Sequence, residues 1–590
     1  MGPVRAKTSY KSGGKDGKKP ASKGSKKPAS KTMSSKAKSN SSSSAGDKKK
    51  PYARPENKQQ QLKRTDKADK QGDLKLEARK LWEQLRRGDL EAAERRTHME
   101  AMMKLIGGRI KEITLKHDMS RIVQTCVKYG TAAQRSVIAG ELAGAEVDLA
   151  RSMYGRHILL RLLKHCPATR APIIAALAGH VRRLVRHKDA AAVVDECYSV
   201  YANAAQRWAL AAEFYGGECA VMGGHVTGVD AVLAQAPQRR AGVVAALAAA
   251  AKPLLEKGTV QHGVVHRVLL DLVRLADGED RRAAIGALHA LAVEMVHTRD
   301  GAHCAMLCLL HGSAKDRKAL VRSFRPFVRK MALDEHAHAV LIGALDCVDD
   351  TVFSAKTLLA DLGAMAADLL PDAYGRRVLL YALAGRSPHY VGADALAVLR
   401  AGDAVRAATS KKDPAARRRE LAAAAGPPLA AWAADHAADA VFAPLPSQAV
   451  AEVLVRAPCA KADAWAGVLA LVSREIGPDH VLVHPVANRV VTTAILAGHA
   501  PTVRAAQADA APPHAGNPPY AADVLAALVA ADQLLPAALA GAFPVRALLE
   551  VPPTAARARQ LLRPHLSALE AVAEPSATVS AIISLLKKEE

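Results

Sequence analysis

The sequence predicts an all-α fold, an α-solenoid of short helical repeats behind a disordered basic N-terminal tail, and three observations predict it. The 590 residues are 49% apolar but only 4% aromatic, with Ala, Leu and Val at helical spacing, a pattern that suits packed helices better than sheets. A segment of about ten residues then recurs. Ser120-Arg121-Ile122-Val123-Gln124-Thr125-Cys126-Val127-Lys128-Tyr129 is followed 36 residues later by Arg156-His157-Ile158-Leu159-Leu160-Arg161-Leu162-Leu163-Lys164-His165. Both read as amphipathic helices closed by a basic residue, where it favours the helix dipole. Self-similarity at that period marks a stacked array, in which no repeat buries its apolar face alone. The third observation is charge. Residues 1–70 hold 21 Lys and Arg against 5 Asp and Glu, so sixteen of the 26 net positive charges lie in a segment whose only Leu is Leu62. It has too little apolar surface to offset its ordering entropy.

Three regions follow: a Lys- and Ser-rich tail over 1–72, a repeat array over 73–390, and degenerate repeats with capping helices over 391–590. The runs Lys18-Lys19-Pro20, Lys26-Lys27-Pro28 and Lys48-Lys49-Lys50-Pro51 suit nuclear import or loose phosphate contact. Leu74, Ala78, Leu81, Trp82 and Leu85 share one side of a leading helix, broken at Gly88, with Asp89 placed to cap the next. A third copy aligns at Ala191, and further copies at His262, Ala302, Ala337 and Arg376. The interval of 71 residues before His262 is two periods, so a reshaped repeat is expected between Cys197 and Lys257. The signal fades past Arg386, returns at His484–Thr492, and gives way to Pro-broken capping helices.

Other classes are poorly served. No run reaches 18 consecutive apolar residues and the tail has no apolar face, so no membrane partner is expected. Eight cysteines without a CxxC pair suit a reducing compartment. His297, His303, Cys304, Cys308 and His311 continue an apolar helix and lack metal-site spacing, so no metal is assigned. There is no Gly-rich phosphate loop and no GxSxG, so neither an enzyme nor a cofactor is expected.

The runs His297-Thr298-Arg299-Asp300-Gly301, His311-Gly312-Ser313-Ala314-Lys315-Asp316-Arg317-Lys318, Asp346-Cys347-Val348-Asp349-Asp350 and Tyr374-Gly375-Arg376-Arg377-Val378-Leu379-Leu380-Tyr381 resemble the nucleolar Puf-A family of Pumilio-like proteins. The similarity covers residues 75–390 and a fragment near 481–495. The resemblance implies an L-shaped array of Pumilio repeats that binds RNA or DNA with little sequence preference. It also implies work in ribosomal RNA processing and large-subunit assembly in the nucleus and nucleolus, with translational regulation as a secondary role.

In sequence-reading Pumilio repeats, two or three side chains of one helix address one base. Residues at i and i+4 can grip a base edge while i+1 stands beside them. Only the first copy keeps such equipment, with Ser120 and Gln124 as the edge pair and Arg121 as a stacking plane. The family resemblance suits that pair to adenine. The later pairs, such as Arg156 with Leu160 and Ala191 with Asp195, cannot read a base edge, and an unpaired Asp195 would repel phosphate. What remains is charge at or beside the repeat starts: Arg121, Lys128, Arg156, His157, Arg161, Lys164, Arg182, Arg183, Arg186, Lys188, Arg376 and Arg377. Stacking would align these into one stripe that holds phosphates without reading sequence. Tyr154 and Tyr374 are expected to pack between repeats. The expected partners are precursor ribosomal RNA, messenger RNA or DNA, together with pre-ribosomal proteins, bound by a monomer. The competing reading is a HEAT- or armadillo-like protein scaffold or transport adaptor.

Overall fold

The computed structural model describes residues 58–222, 227–497 and 511–588. Among them every regular element is helical. Residues 1–57 of the expected tail lie outside the described residues, and the helix Lys58–Leu85 begins inside the stretch that composition assigns to it. Met1–Lys70 and Gln71–Glu590 are separate units. The second holds the repeats.

In that unit one helix of each repeat stacks on its counterpart in the next, forming a ladder. Its rungs are α1 (His117–Tyr129), α2 (Gly155–His165), α3 (Ala190–Glu196), α4 (Gly263–Leu275), α5 (Arg299–His311), α6 (Ala337–Cys347), α7 (Gly375–Ala384), α8 (Pro446–Arg456), α9 (Ala487–Leu496) and α10 (Phe543–Glu550). A rung has neighbours before and after it, so it needs two adjacent apolar rows. Ile122, Val123, Cys126 and Val127 supply them in α1, and Ile158, Leu159, Leu162 and Leu163 in α2, all buried. Gly155 and Gly375 open their rungs because a Cβ would lie 2.8 Å from the Leu149 carbonyl oxygen and 2.9 Å from that of Leu369. The preceding tyrosines pack between repeats, Tyr154 edge-on to His117 at 5.5 Å and Tyr374 on His338 at 5.2 Å.

An arginine on the following helix closes the C-terminal end of many rungs, where helix carbonyls lack partners. Arg135 Nε donates to Val127 O at 2.8 Å, Arg170 to Leu163 O at 2.8 Å, Arg207 to Tyr198 O at 3.0 Å, Arg281 to Val273 O at 3.0 Å and Arg317 to Leu309 O at 2.8 Å. Arg317 is buried and also donates to Leu310 O at 3.0 Å. Its replacement by Ala is expected to cost about 2–3 kcal/mol, because charge-assisted donors are lost and buried carbonyls orphaned. A shift in the denaturant midpoint of full-length protein measures this, with exposed Lys315→Ala as the silent control.

The closing arginines also fix the register of the repeats. Counting back seven residues from Val127, Leu163, Tyr198, Val273 and Leu309 gives starts at Ser120, Arg156, Ala191, His266 and Ala302. The sequence-derived start His262 is therefore one helical turn early. One turn nearly restores the same apolar pattern, so periodicity alone does not separate the two.

The reshaped repeat leaves the ladder. Among the described residues, Ala212–Tyr215, Gly217–Met222, Val229–Gln235 and Arg240–Glu256 supply no rung between α3 and α4. Instead α4 meets the end of the third repeat directly, with Gly263 N donating to Asp195 Oδ1 at 2.7 Å. Tyr215 donates to buried Asp271 of α4 at 2.7 Å and Arg274 pairs with Asp230 at 2.8 Å, which anchors the detour.

Past α7 the chain turns back over its own ladder. Ala393–Ala401 and Asp403–Thr409 lie on α5 and α6. Residues 511–520 close α7 and α8: Ala511 N donates to Ala384 O at 2.9 Å, His514 N to Val455 O at 2.9 Å and Tyr520 OH to Leu454 O at 2.6 Å. The long helix Pro414–Ala440 is capped by Asp413, whose carboxylate accepts from Ala416 N at 2.7 Å. Asp350 caps Thr351–Ser354 by accepting from Phe353 N at 2.9 Å. Asp89 does not cap Ala92–Ile106, whose N-cap is Glu91, and pairs with Arg87 at 2.8 Å.

Candidate nucleic-acid interface

The first edge position of each repeat faces the next repeat. Ser120 is 1% exposed; its hydroxyl donates to Tyr154 O at 3.2 Å and accepts from Gln124 Nε2 at 3.2 Å. The expected edge pair is thus bonded to itself and to the neighbouring backbone. Arg156 pairs with Asp189 at 3.1 Å. His266 is fully buried between Thr298 Oγ1 at 2.7 Å and Val260 O at 2.6 Å. Burial, then the facing His297 imidazole, pushes its pKa down to about 4, so it is neutral at physiological pH. Ala191, Ala302 and His338 are buried as well. Asp195 accepts from Gly263 N at 2.7 Å and from Ser199 Oγ at 3.2 Å, neutral donors that orient the carboxylate without cancelling its charge.

Arg376 departs from its expected place on the stripe. It is 8% exposed and donates to Gln448 Oε1 at 3.2 Å and to Ala373 O, so it joins α7 to α8. Arg377 is half-buried over the Tyr374 ring, in a recess of about 520 Å³ beside Ala393. The physical reason is the next rung, α8, which engages Arg376 through Gln448, and the returning chain at Gly392 and Ala393, which lies against Arg377.

Arg121, His157, Arg161 and Lys164 form the uncovered part of the ladder on α1 and α2, with Lys128 beside them. Arg182, Arg183, Arg186 and Lys188 are exposed on the short helix Val181–Leu184 and the turn after it, next to the ladder but off its rungs. The expected single stripe is therefore a row over two rungs plus a separate basic turn. Among the described residues, none of Arg121, Lys128, Arg161, Lys164, Arg182, Arg183, Arg186 and Lys188 has a carboxylate within 4.0 Å. The contrast with α4 is sharp. There Arg267 and Arg274 are spent on Asp271, at 2.8 and 2.9 Å.

Residues 371–504 match the model of the CPL (NUC119) domain. The chain is 34% identical over 433 residues to Pumilio homology domain family member 6 of Schizosaccharomyces pombe, a match covering 72% of this chain and 67% of that protein. It is 35% identical over 374 residues to human Pumilio homolog 3, covering 63% of this chain and 57% of that protein. The crystal structure of human Puf-A in complex with DNA superposes with a TM-score of 0.78 at 30% identity, covering 88% of this chain and 99% of that one. The crystal structure of human Puf-A alone gives the same TM-score at 29% identity. This chain belongs to the Puf-A-like family of Pumilio-repeat proteins. The matches span about three-fifths to two-thirds of the length of several curated relatives.

Family membership accounts for a ladder that periodicity alone leaves open to a HEAT- or armadillo-like reading. It also covers α8 and α9, which the CPL match includes. The closing arginines and the arginine-spending acids Asp271 and Asp346 were not singled out from sequence. A signal for the former was present, since Arg135, Arg170, Arg207, Arg281 and Arg317 each lie seven to nine residues past the carbonyl they close.

Proposed function

We propose that this Puf-A-like chain binds RNA, and DNA secondarily, by the phosphate backbone with little sequence preference. The observation that carries this reading is the set of exposed cations on α1, α2 and the Val181–Lys188 turn that lack carboxylate partners. Uncompensated charge on a surface draws polyanions, and buried edge positions cannot read bases. The DNA complex of human Puf-A supports it. In the cell we place the protein in the nucleus and nucleolus, acting without catalysis on precursor ribosomal RNA and with pre-ribosomal proteins during large-subunit assembly. Family membership and the lysine runs of residues 1–70 support that placement. Translational regulation of messenger RNA remains a secondary role of the same surface.

Binding of full-length protein and of residues 71–590 to unrelated single-stranded RNAs at 50 and 200 mM salt tests this. Affinities within a few-fold of one another, falling steeply with salt, are expected. Either a hundredfold preference for one sequence or no affinity of residues 71–590 overturns it, and the latter outcome favours the protein scaffold.

Two imidazoles on α2, His157 and His165, give a pH signature. Burial, then Arg135, Lys164, Arg161 and Lys128, lower the pKa of His165, while burial, then Arg156 and Arg161, lower that of His157. Both rings are neutral near pH 7, and a polyanion favours their protonated forms. Affinity is therefore expected to stay flat from about pH 8 to 7 and to rise only as pH falls below the ordinary imidazole range near 6.5. Substituting both by Gln should reduce the rise, as anisotropy titrations across pH would show.

A further inference from the structure

The C-terminal ends of α1 and α2 carry a cluster that lies away from the edge positions. Tyr129 closes α1 and is 38% exposed. Lys128 Nζ lies 4.4 Å from its ring centroid and donates to its hydroxyl at 2.7 Å. Arg95, on the helix Ala92–Ile106, sets its Cζ 5.0 Å from the same ring. Such contacts hold a cation in place without neutralising it. Arg161 acts electrostatically on the same phenol, and with Lys164 and Lys128 on His165. These side chains therefore share one field. Helix C-terminal ends ordinarily present partial negative charge. Here Arg135 and Arg170 occupy the carbonyls, so cations dominate. Arg95 Nε is buried with no hydrogen-bond partner, and among the described residues Arg95, Lys128, Arg161 and Lys164 have no carboxylate within 4.0 Å.

We propose that Arg95, Lys128, Arg161 and Lys164 form a phosphodiester seat, so that a nucleic-acid strand crosses the ladder at the C-terminal ends of α1 and α2. Tyr129 is a positioning residue that aims Arg95 and Lys128. This rests on the function proposed above and deepens it. The edge positions near the rung starts are filled by contacts between repeats, whereas these ends stay open. A polynucleotide is favoured over an isolated anion because the cations come from three separate helices and suit a linear row of charges better than a point.

Anisotropy with full-length protein and a mixed-sequence RNA, repeated from 50 to 200 mM salt, tests the proposal. Arg95→Gln and Lys164→Gln should each weaken binding about fivefold and flatten the log–log salt slope by about 0.7, as for one lost contact on a single strand. Tyr129→Ala should do the same with an unchanged melting temperature, a slope change that loss of packing alone would not produce. Tyr129→Phe, which keeps the ring, should retain most of the affinity. Exposed Lys164 keeps the test readable should Arg95→Gln fail to fold. The proposal is overturned if Arg95→Gln and Lys164→Gln keep the parental slope while Arg121→Gln loses it, which puts the strand at the rung starts. It is also overturned if inorganic phosphate or polyglutamate competes as well as RNA at equal charge. Failure of the parent protein to bind any RNA would instead remove the function proposed above.

Discussion

Replacing Asp346 with Ala is expected to cost about 3–5 kcal/mol, the penalty for leaving buried guanidinium groups without their counter-charge. Asp346 ends α6 and is buried. Its carboxylate accepts from Tyr381 OH at 2.5 Å, from Arg386 at 2.7 and 3.0 Å, and from Arg406. Arg417 donates to its backbone carbonyl at 3.0 Å. Arg386 and Arg406 also grip Asp403, at 2.8 and 3.1 Å, so this one carboxylate ties the returning segment to the ladder. Burial alone would raise its pKa; hydrogen bonds and charge from Arg386, then the charge of Arg406, more than reverse this and hold it below the ordinary value. Its contribution to stability is therefore present above the ordinary carboxylate range near pH 4 and is lost as pH falls below it. Asp346→Ala should lower the melting temperature and strip hydrogen-exchange protection from Ala393–Thr409 first, while Asp346→Asn, which keeps the shape, should lose less. Unchanged protection there would show that apolar packing alone holds the returning segment.

The triple substitution Lys128→Glu, Arg161→Glu, Lys164→Glu is expected to weaken binding at least a hundredfold at low salt and to flatten the salt slope by about 2, three contacts at about 0.7 each. The loss should be equal for every RNA sequence, because charge on the backbone carries no base information. The three side chains are exposed or half-exposed and lack ion-pair partners, so the fold should survive. Arg156→Glu would be a poorer probe, since it sets a carboxylate against Asp189. Changes at Ser120 and Gln124 should leave sequence preference untouched. Filter binding over a randomised RNA pool would expose any preference that contradicts this.

The helical ladder was legible because two apolar rows repeat every 35 to 39 residues within α1 to α3 and within α4 to α7. Legibility failed where the chain itself took the place of a repeat signal. In α8 the opening is Pro446-Ser447-Gln448, and its end is closed by residues 511–520 in place of an arginine, so the punctuation that marks α1 to α5 is missing. The basic surface was legible only in part, since a one-dimensional count of Arg and Lys does not distinguish Arg161, which has no acid near it, from Arg274, held between Asp230 and Asp271. That distinction depends on carboxylates 3 or 44 residues away in sequence. Arg376 was misplaced for a related reason, because its partner Gln448 lies 72 residues downstream.

The returning chain over α5 to α8 sets a limit on length. On the function proposed above, a bound polymer has two bare rungs and one basic turn to follow before it meets the protein's own backbone. The occluded stretch is then short, on the order of ten nucleotides. A long transcript would accept several copies side by side, and the stoichiometry at saturation would grow in proportion to the number of nucleotides offered.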